Sequence, residues 1–326
     1  MEHKGLQQLI ESGLIIEEKA VKRIMDFDVN EFSTVVNKIN EQKPSILTEA
    51  ILFNYLPQPV KVIKKNEFKE VKNIQDLTKN LNLRYSAIQR ILIEKLDIKD
   101  IFSIKNLGNV YSTLIGLVKS VKDLSDKTII EMEDPTGVVT VAIPKIMVTT
   151  KVRDDDILAI SGKLIGEVFE ADTINWPDTP LRSATKGNGK IIFLSDIKIE
   201  GDIAQKLESA DYIFLKNCTG WEKMVGKNTA QWIVVRDSFE EQENLKYVQP
   251  PCLVDVGGIL VLVCFGEDHA TDVIRRRFIS SGNSDFIIEQ MPDIIFTNST
   301  EPVNYKGVTI IGNGIIDAPT REIIGI

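Results

Sequence analysis

The residues of this chain best placed for chemistry stand at the end of one apolar run. Residues 191–194 are Ile-Ile-Phe-Leu, and Ser195 and Asp196 follow directly. The run reads as a buried strand. A buried strand ending in aspartate presents a carboxylate at the carboxyl edge of a sheet, where α/β proteins build their sites. Two residues on, at a position of the same side-chain parity, stands Lys198. An Asp-x-His at such a strand end would supply two metal ligands. A charged lysine ligates nothing and puts its own cation where a metal would sit. Other titratable residues offer a substitute set with Asp196, namely Asp237, Glu267, Asp268, His269 and Glu301, all in polar loop sequence. The histidine inventory limits any such site. The chain has 2 histidines, His3 and His269, and histidine is the commonest transition-metal ligand and the usual general base. A histidine-rich two-metal centre cannot be built from it.

The elements that must position these residues follow from length and pattern. A chain of 326 residues, 43% apolar and 26% charged, reads as two or three ordinary globular domains. No apolar run approaches the roughly 20 residues of a membrane span, and no signal-peptide pattern is visible at the amino terminus. The 3 cysteines show no CxxC spacing, which predicts reduced thiols in a cytoplasm and no zinc site. A net charge of -8 gives bulk electrostatics no pull toward nucleic acid, so such binding needs a local basic patch.

Helical spacing predicts a small helical module over residues 1–53, with a helix over 45–52 capped by Ser45. Residues 54–72 carry two prolines and excess lysine and read as a linker with a short extended piece. A longer helix over residues 73–96, within a 73–102 segment leading onward, shows an apolar face, with Arg84, Arg90 and Lys95 assigned off it. The period then becomes two. Strands over 110–121, 128–132, 138–143, 157–164 and 168–174, with Gly116 at a bulge and a tight turn at Asp134-Pro-Thr-Gly137, predict a small OB-type barrel over 103–185. Its lysines Lys119, Lys122 and Lys145, and the densest basic run, Arg275-Arg-Arg277, are the candidate nucleic-acid contacts. In residues 186–326, strands over 191–197, 212–215, 232–235, 252–256, 259–265, 294–297 and 308–311 alternate in part with helices over 203–209 and 271–278, as in an α/β sandwich. The fold class is therefore α+β and multidomain.

Several stretches resemble one family in the same order. Glu133-Asp-Pro-Thr-Gly137, Ala171-Asp-Thr-Ile-Asn-Trp-Pro-Asp-Thr-Pro180, Ser195-Asp196-Ile197, residues 254–258 with the Gly266 turn, Asp272-Val-Ile274, Arg275-Arg-Arg277, Met291-Pro-Asp-Ile-Ile-Phe-Thr297 and Tyr305-Lys-Gly-Val308 look like the small subunit of the archaeal family D DNA polymerase. Residues 83–92 and Gly13-Leu-Ile-Ile16 fit its start. The resemblance implies an amino-terminal helical module, an OB-fold, and a four-layer α/β/β/α calcineurin-like phosphoesterase sandwich. In the family that last domain carries a 3′–5′ exonuclease, and the subunit binds the large polymerase subunit.

The chain departs from the family where the chemistry should be. Lys198 replaces the first motif's histidine. The Gly-Asp-x-x-Asp-Gly stretch corresponds to Leu215-Lys-Asn-Cys-Thr-Gly220, with Lys216 and Thr219 at the aspartates. Asp237 falls where Gly-Asn-His-Asp is expected, Phe265 replaces the His-Gly histidine, and Phe278 the histidine after the arginines. Phe296, Ser299 and Glu301 stand in the last His-x-Gly-His-x-His. The implied function is a non-catalytic accessory subunit, in a hetero-oligomer with the large catalytic subunit of a DNA polymerase, with neither metal nor other cofactor and no intrinsic catalysis. Two alternatives stand beside it: a stand-alone single-stranded DNA-binding barrel, and a phosphodiesterase with a rearranged metal site.

Overall fold

A computed structural model describes residues 7, 9–10, 13–66, 73–98, 101–242, 244–266, 269–280, 285–299 and 301–324. Contacts divide the chain into two units, one of residues 1–66, 181–267 and 292–326, the other of 67–180 and 268–291. The protein is α+β, with six α-helices among the described residues, several sheets and one closed five-stranded barrel.

The first unit begins with α1 (Glu18–Met25), α2 (Val29–Gln42) and α3 (Glu49–Tyr55). Asp28 and Glu31 cap α2 reciprocally, each carboxylate accepting the other's backbone N–H. Residues 46–47 are extended and pair in parallel with 15–16, so the helix expected from Ser45 starts later. Its cap is Thr48, whose hydroxyl accepts Ile51 N–H.

In the second unit, α4 (Ile74–Leu96) is capped by Asn73. It packs Ile88 and Leu92 on Ile115, Ile157 and Ala159. Arg84 shares that buried face, contrary to the sequence reading, because 84, 88 and 92 recur at four-residue spacing. Its guanidinium is neutralised by Asp285 at 3.2 Å and Asp155 at 3.4 Å and lies over the Phe278 ring. The barrel strands are β1 (Ser112–Asp123), β2 (Lys127–Asp134), β3 (Gly137–Pro144), β4 (Ile157–Ile165) and β5 (Val168–Asn175), closed in the order β1-β2-β3-β5-β4. Asp134 organises the β2–β3 turn by accepting from Thr136 and Gly137 N–H, and its second oxygen holds Ile104 N–H. Gly116 is not the bulge. The register shift lies between Val118 and Ser120, and a Cβ at Gly116 would meet Met132 and the Glu133 carbonyl. Glycine is there because β2 crosses too close for a side chain.

The rest of the first unit is two sheets. One contains β6 (Lys190–Ser195), β7 (Tyr212–Lys216), β8 (Gln231–Val235) and β9 (Leu245–Val248), all parallel neighbours. The other contains β10 (Cys252–Val256), β11 (Ile259–Val263), β12 (Ile294–Phe296) and β13 (Val308–Ile311), with β11, β12 and β13 parallel. Lys61–Lys65, the extended piece of the proline-containing stretch, is the edge strand beside β10. A further strand, β14 (Gly314–Asp317), runs antiparallel to β6. Both faces of β6 are apolar because both are covered. Ile191 and Phe193 join a core shared by the two sheets. Ile192 and Leu194 face the opposite cluster, with Leu207 of α5 (Asp202–Glu208) and Trp221.

Candidate functional site

The parallel strands of each sheet end together, so their carboxyl edges gather the residues after β6, β7, β11, β12 and β13. Asp196 follows β6 with a left-handed backbone, φ 57°, and Asn217 follows β7 likewise, φ 52°. Asn217 Nδ2 donates to Asp196 Oδ1 at 2.9 Å, and Asp196 N–H donates to the Lys216 carbonyl at 2.9 Å. The carboxylate at the edge is therefore held by a neighbouring amide. Ser195 N–H donates to Asn313 Oδ1 at 2.7 Å.

Lys216 is half-buried at the end of β7. Its ammonium donates to Asn298 Oδ1 at 2.8 Å and stands 3.9 Å from the centre of the Phe265 ring. Phe265 meets Phe296 edge-on at 4.9 Å, and Phe296 packs on Phe193 and Phe214. The cation is thus tied to an amide and an aromatic face. Phe296 is fully buried and Phe265 partly so, and both fill the space at this edge with carbon.

The remaining motif positions do not complete a site. Lys198 is exposed and paired with Glu200 at 2.7 Å, which raises its pKa. Thr219 bridges to Lys198 through the backbone, and Asp237 is exposed. Ser299 Oγ donates to the Glu301 carbonyl at 2.6 Å, leaving the Glu301 side chain exposed. Phe278 belongs to the barrel unit, its ring 4.6 Å from both the Arg84 and Arg276 guanidinium carbons. His269, also of that unit, precedes the helix Ala270–Arg276 and is exposed. Glu267, Asp268 and His3 lie outside the described residues. Among the described residues no three of His, Cys, Asp or Glu group as a metal would require, so a two-metal centre does not fit this donor set.

The candidate nucleic-acid contacts are largely engaged within the protein. On the barrel, Lys119 pairs with Glu133 at 3.5 Å and Lys145 with Asp123 at 2.5 Å, while Lys122 is exposed. The Lys145 ammonium, more than any other contact, holds the Asp123 pKa down. Arg275 pairs with Asp272 at 3.2 Å. Arg276 Nε stands 2.7 Å from Asp156 Oδ1. Arg277 is buried and donates to the Pro177 carbonyl at 3.0 Å and the Ile288 carbonyl at 3.3 Å. Asn217, Asn298 and Asn313 were not foreseen from sequence. Their signal is a polar amide following each of three apolar strands.

No protein-family model matches the chain. Curated proteins do. The chain is 26% identical over 256 residues to the DNA polymerase II small subunit of Archaeoglobus fulgidus, covering 74% of this chain and 51% of that protein. It is 24% identical over 242 residues to that of Methanothermobacter thermautotrophicus, covering 64% and 50%. With that of Pyrococcus abyssi it shares 31% over 170 residues, covering 46% and 27%. The chain resembles the small subunit of archaeal DNA polymerase II. The matched part spans about half or less of the length of these relatives. The strand-end motifs pointed to the same proteins, so the resemblance rests on whole-segment similarity as well as on short motifs. Among the described residues no helix is long and apolar enough to cross a membrane.

Proposed function

We propose that this chain is a non-catalytic, scaffolding small subunit, or a paralogue of one, of an archaeal family D DNA polymerase. In this reading the barrel is an OB-fold, the two-sheet unit is a degenerate calcineurin-like phosphoesterase, and the partner is the large catalytic subunit in DNA replication. The barrel's closure in a β1-β2-β3-β5-β4 order supports the first assignment. The names of the relatives support the partner and the role in replication.

The observation that carries the loss of exonuclease activity is the cluster of Lys216, Asn298, Phe265 and Phe296 at the carboxyl edge. Two-metal phosphoryl chemistry needs a clamp on both the attacking and leaving oxygens. Here one tethered ammonium and two phenyl rings occupy the edge. An acidic cluster without its metal repels itself, so cation and carbon there relieve a cost while ending the reaction. The test has two parts. Co-expression with the large polymerase subunit should give a stable complex on gel filtration, and the purified chain should show no manganese-stimulated hydrolysis of bis(nitrophenyl) phosphate or of primed DNA. Repeated failure to co-purify would overturn the scaffold reading. Hydrolysis abolished by Asp196→Ala would overturn the inactive one.

A further inference from the structure

Within the first unit, a cavity of about 520 Å³ lies between α2, α3 and the amino-terminal ends of β6 and β7. This is the opposite end of those strands from the cluster at Lys216. Its volume falls inside the roughly 300–1,000 Å³ of small-molecule sites. Its ionisable lining is Lys38, Glu41, Lys190, Asp211 and Asp317. We propose that this cavity binds a small polar molecule bearing an amine.

Charge selects the ligand. Lys38 Nζ stands 2.6 Å from Asp211 Oδ1, and the second Asp211 oxygen accepts Lys190 N–H at 2.8 Å. That carboxylate is buried and locked from two sides, so Lys38 and Asp211 cancel. Three charges remain, Lys190 against Glu41 and Asp317, which leaves the lining at a net -1. An anionic ligand would have the Lys190 ammonium, already donated to Ser209 Oγ at 3.0 Å, and would face Glu41 and Asp317 beside it. A cationic ligand meets the surplus charge and displaces nothing.

The second observation is Tyr55. It lines the cavity at 3% exposure, and among the described residues its hydroxyl has no hydrogen-bond partner. The ring is buried while the hydroxyl itself is not enclosed, so it opens onto the cavity. Burial also raises its pKa, so it stays protonated. Its hydroxyl is a preformed contact for an ammonium on one side and for a polar oxygen on the other.

The test is calorimetric titration of the full chain with putrescine, and with inorganic phosphate in parallel. Putrescine should bind the wild type and bind about tenfold more weakly to Glu41→Gln and to Tyr55→Phe, the loss expected for one contact to a charged group. Because the Tyr55 hydroxyl holds nothing in the protein, Tyr55→Phe should melt at the wild-type temperature without ligand. Equal putrescine binding by wild type and both variants would reduce the effect to attraction by the acidic surface and overturn the proposal. So would no heat at millimolar putrescine, or binding of phosphate in its place.

Discussion

The ammonium of Lys216 and the ring of Phe265 face one another across 3.9 Å at the carboxyl edge of the two-sheet unit. One comes from the end of β7 and the other from just beyond β11, so the contact joins the two sheets. The contribution of such a partly buried cation–aromatic pair is about 1 kcal/mol. Lys216→Met keeps most of the stem and removes the charge and its bond to Asn298. It should lower the unfolding free energy in urea by about 1–2 kcal/mol. An unchanged midpoint would show that the pair holds nothing together.

Arg277 separates a structural arginine from a nucleic-acid contact. Its guanidinium is buried and given to backbone carbonyls. Arg277→Lys should cost about 2 kcal/mol, since one ammonium cannot reproduce the fork. If the protein binds single-stranded DNA at low salt, the variant should leave the salt dependence of that binding unchanged. A shallower slope would return Arg277 to the phosphate backbone.

Asp156 makes the barrel unit sensitive to acid in an unusual direction. Burial pushes its pKa up to about 6, opposed by the Arg153 N–H bond and the Arg276 and Arg153 charges. The Arg276 Nε approaches Oδ1 closely without hydrogen-bond alignment. An unfolded aspartate titrates near ~3.9, so between about pH 4 and pH 6 the folded protein keeps a proton that the unfolded chain has released. This contribution is full below about pH 4 and is lost as pH rises through 6, a span of ~3 kcal/mol at most. In urea unfolding, Asp156→Asn should gain on the wild type steadily from pH 4 to 6 and then hold level. A pH-independent difference would rule the titration out.

The β4–β5 crossing depends on one hydrogen atom. A Cβ at Gly162 would lie 1.9 Å from the Glu170 carbonyl oxygen, next to the register shift between Ser161 and Gly162. Gly162→Ala should destabilise the protein by about 1–3 kcal/mol through backbone displacement, seen as a lower melting temperature. Gly166→Ala probes a different property. That residue has open space around it but φ +64°, so its smaller loss would measure left-handed backbone strain alone.

The barrel was legible because each strand repeats at period two with clear turn residues between. Asp134-Pro-Thr-Gly137 fixed its hairpin from local chemistry alone, and the barrel closure expected from five short strands is present. The run at 191–194 was equally plain, since both of its faces are apolar. Arg84 was misread because charge usually marks a solvent face. Asp155 and Asp285, which make its burial tolerable, are distant in sequence. Residues 61–65 looked like linker because lysines interrupt the apolar positions, a composition suited to an edge strand as well. At the candidate site the sequence displayed which residues stand at the strand ends. It did not display that Lys216, Phe265, Asn298 and Phe296 meet, because that contact is made by three separate strand ends.

The route of the backbone between the two units has a consequence for how this protein is made. The chain changes unit at 66/67, 180/181, 267/268 and 291/292. The strand Lys61–Lys65 is therefore synthesised long before β10, its hydrogen-bonded neighbour. The ribosome must deliver all five barrel strands before that edge can close, and residues 268–291 of the barrel's unit arrive later still. Neither unit is one continuous stretch of chain, so no single stop codon or protease cut can release either of them intact.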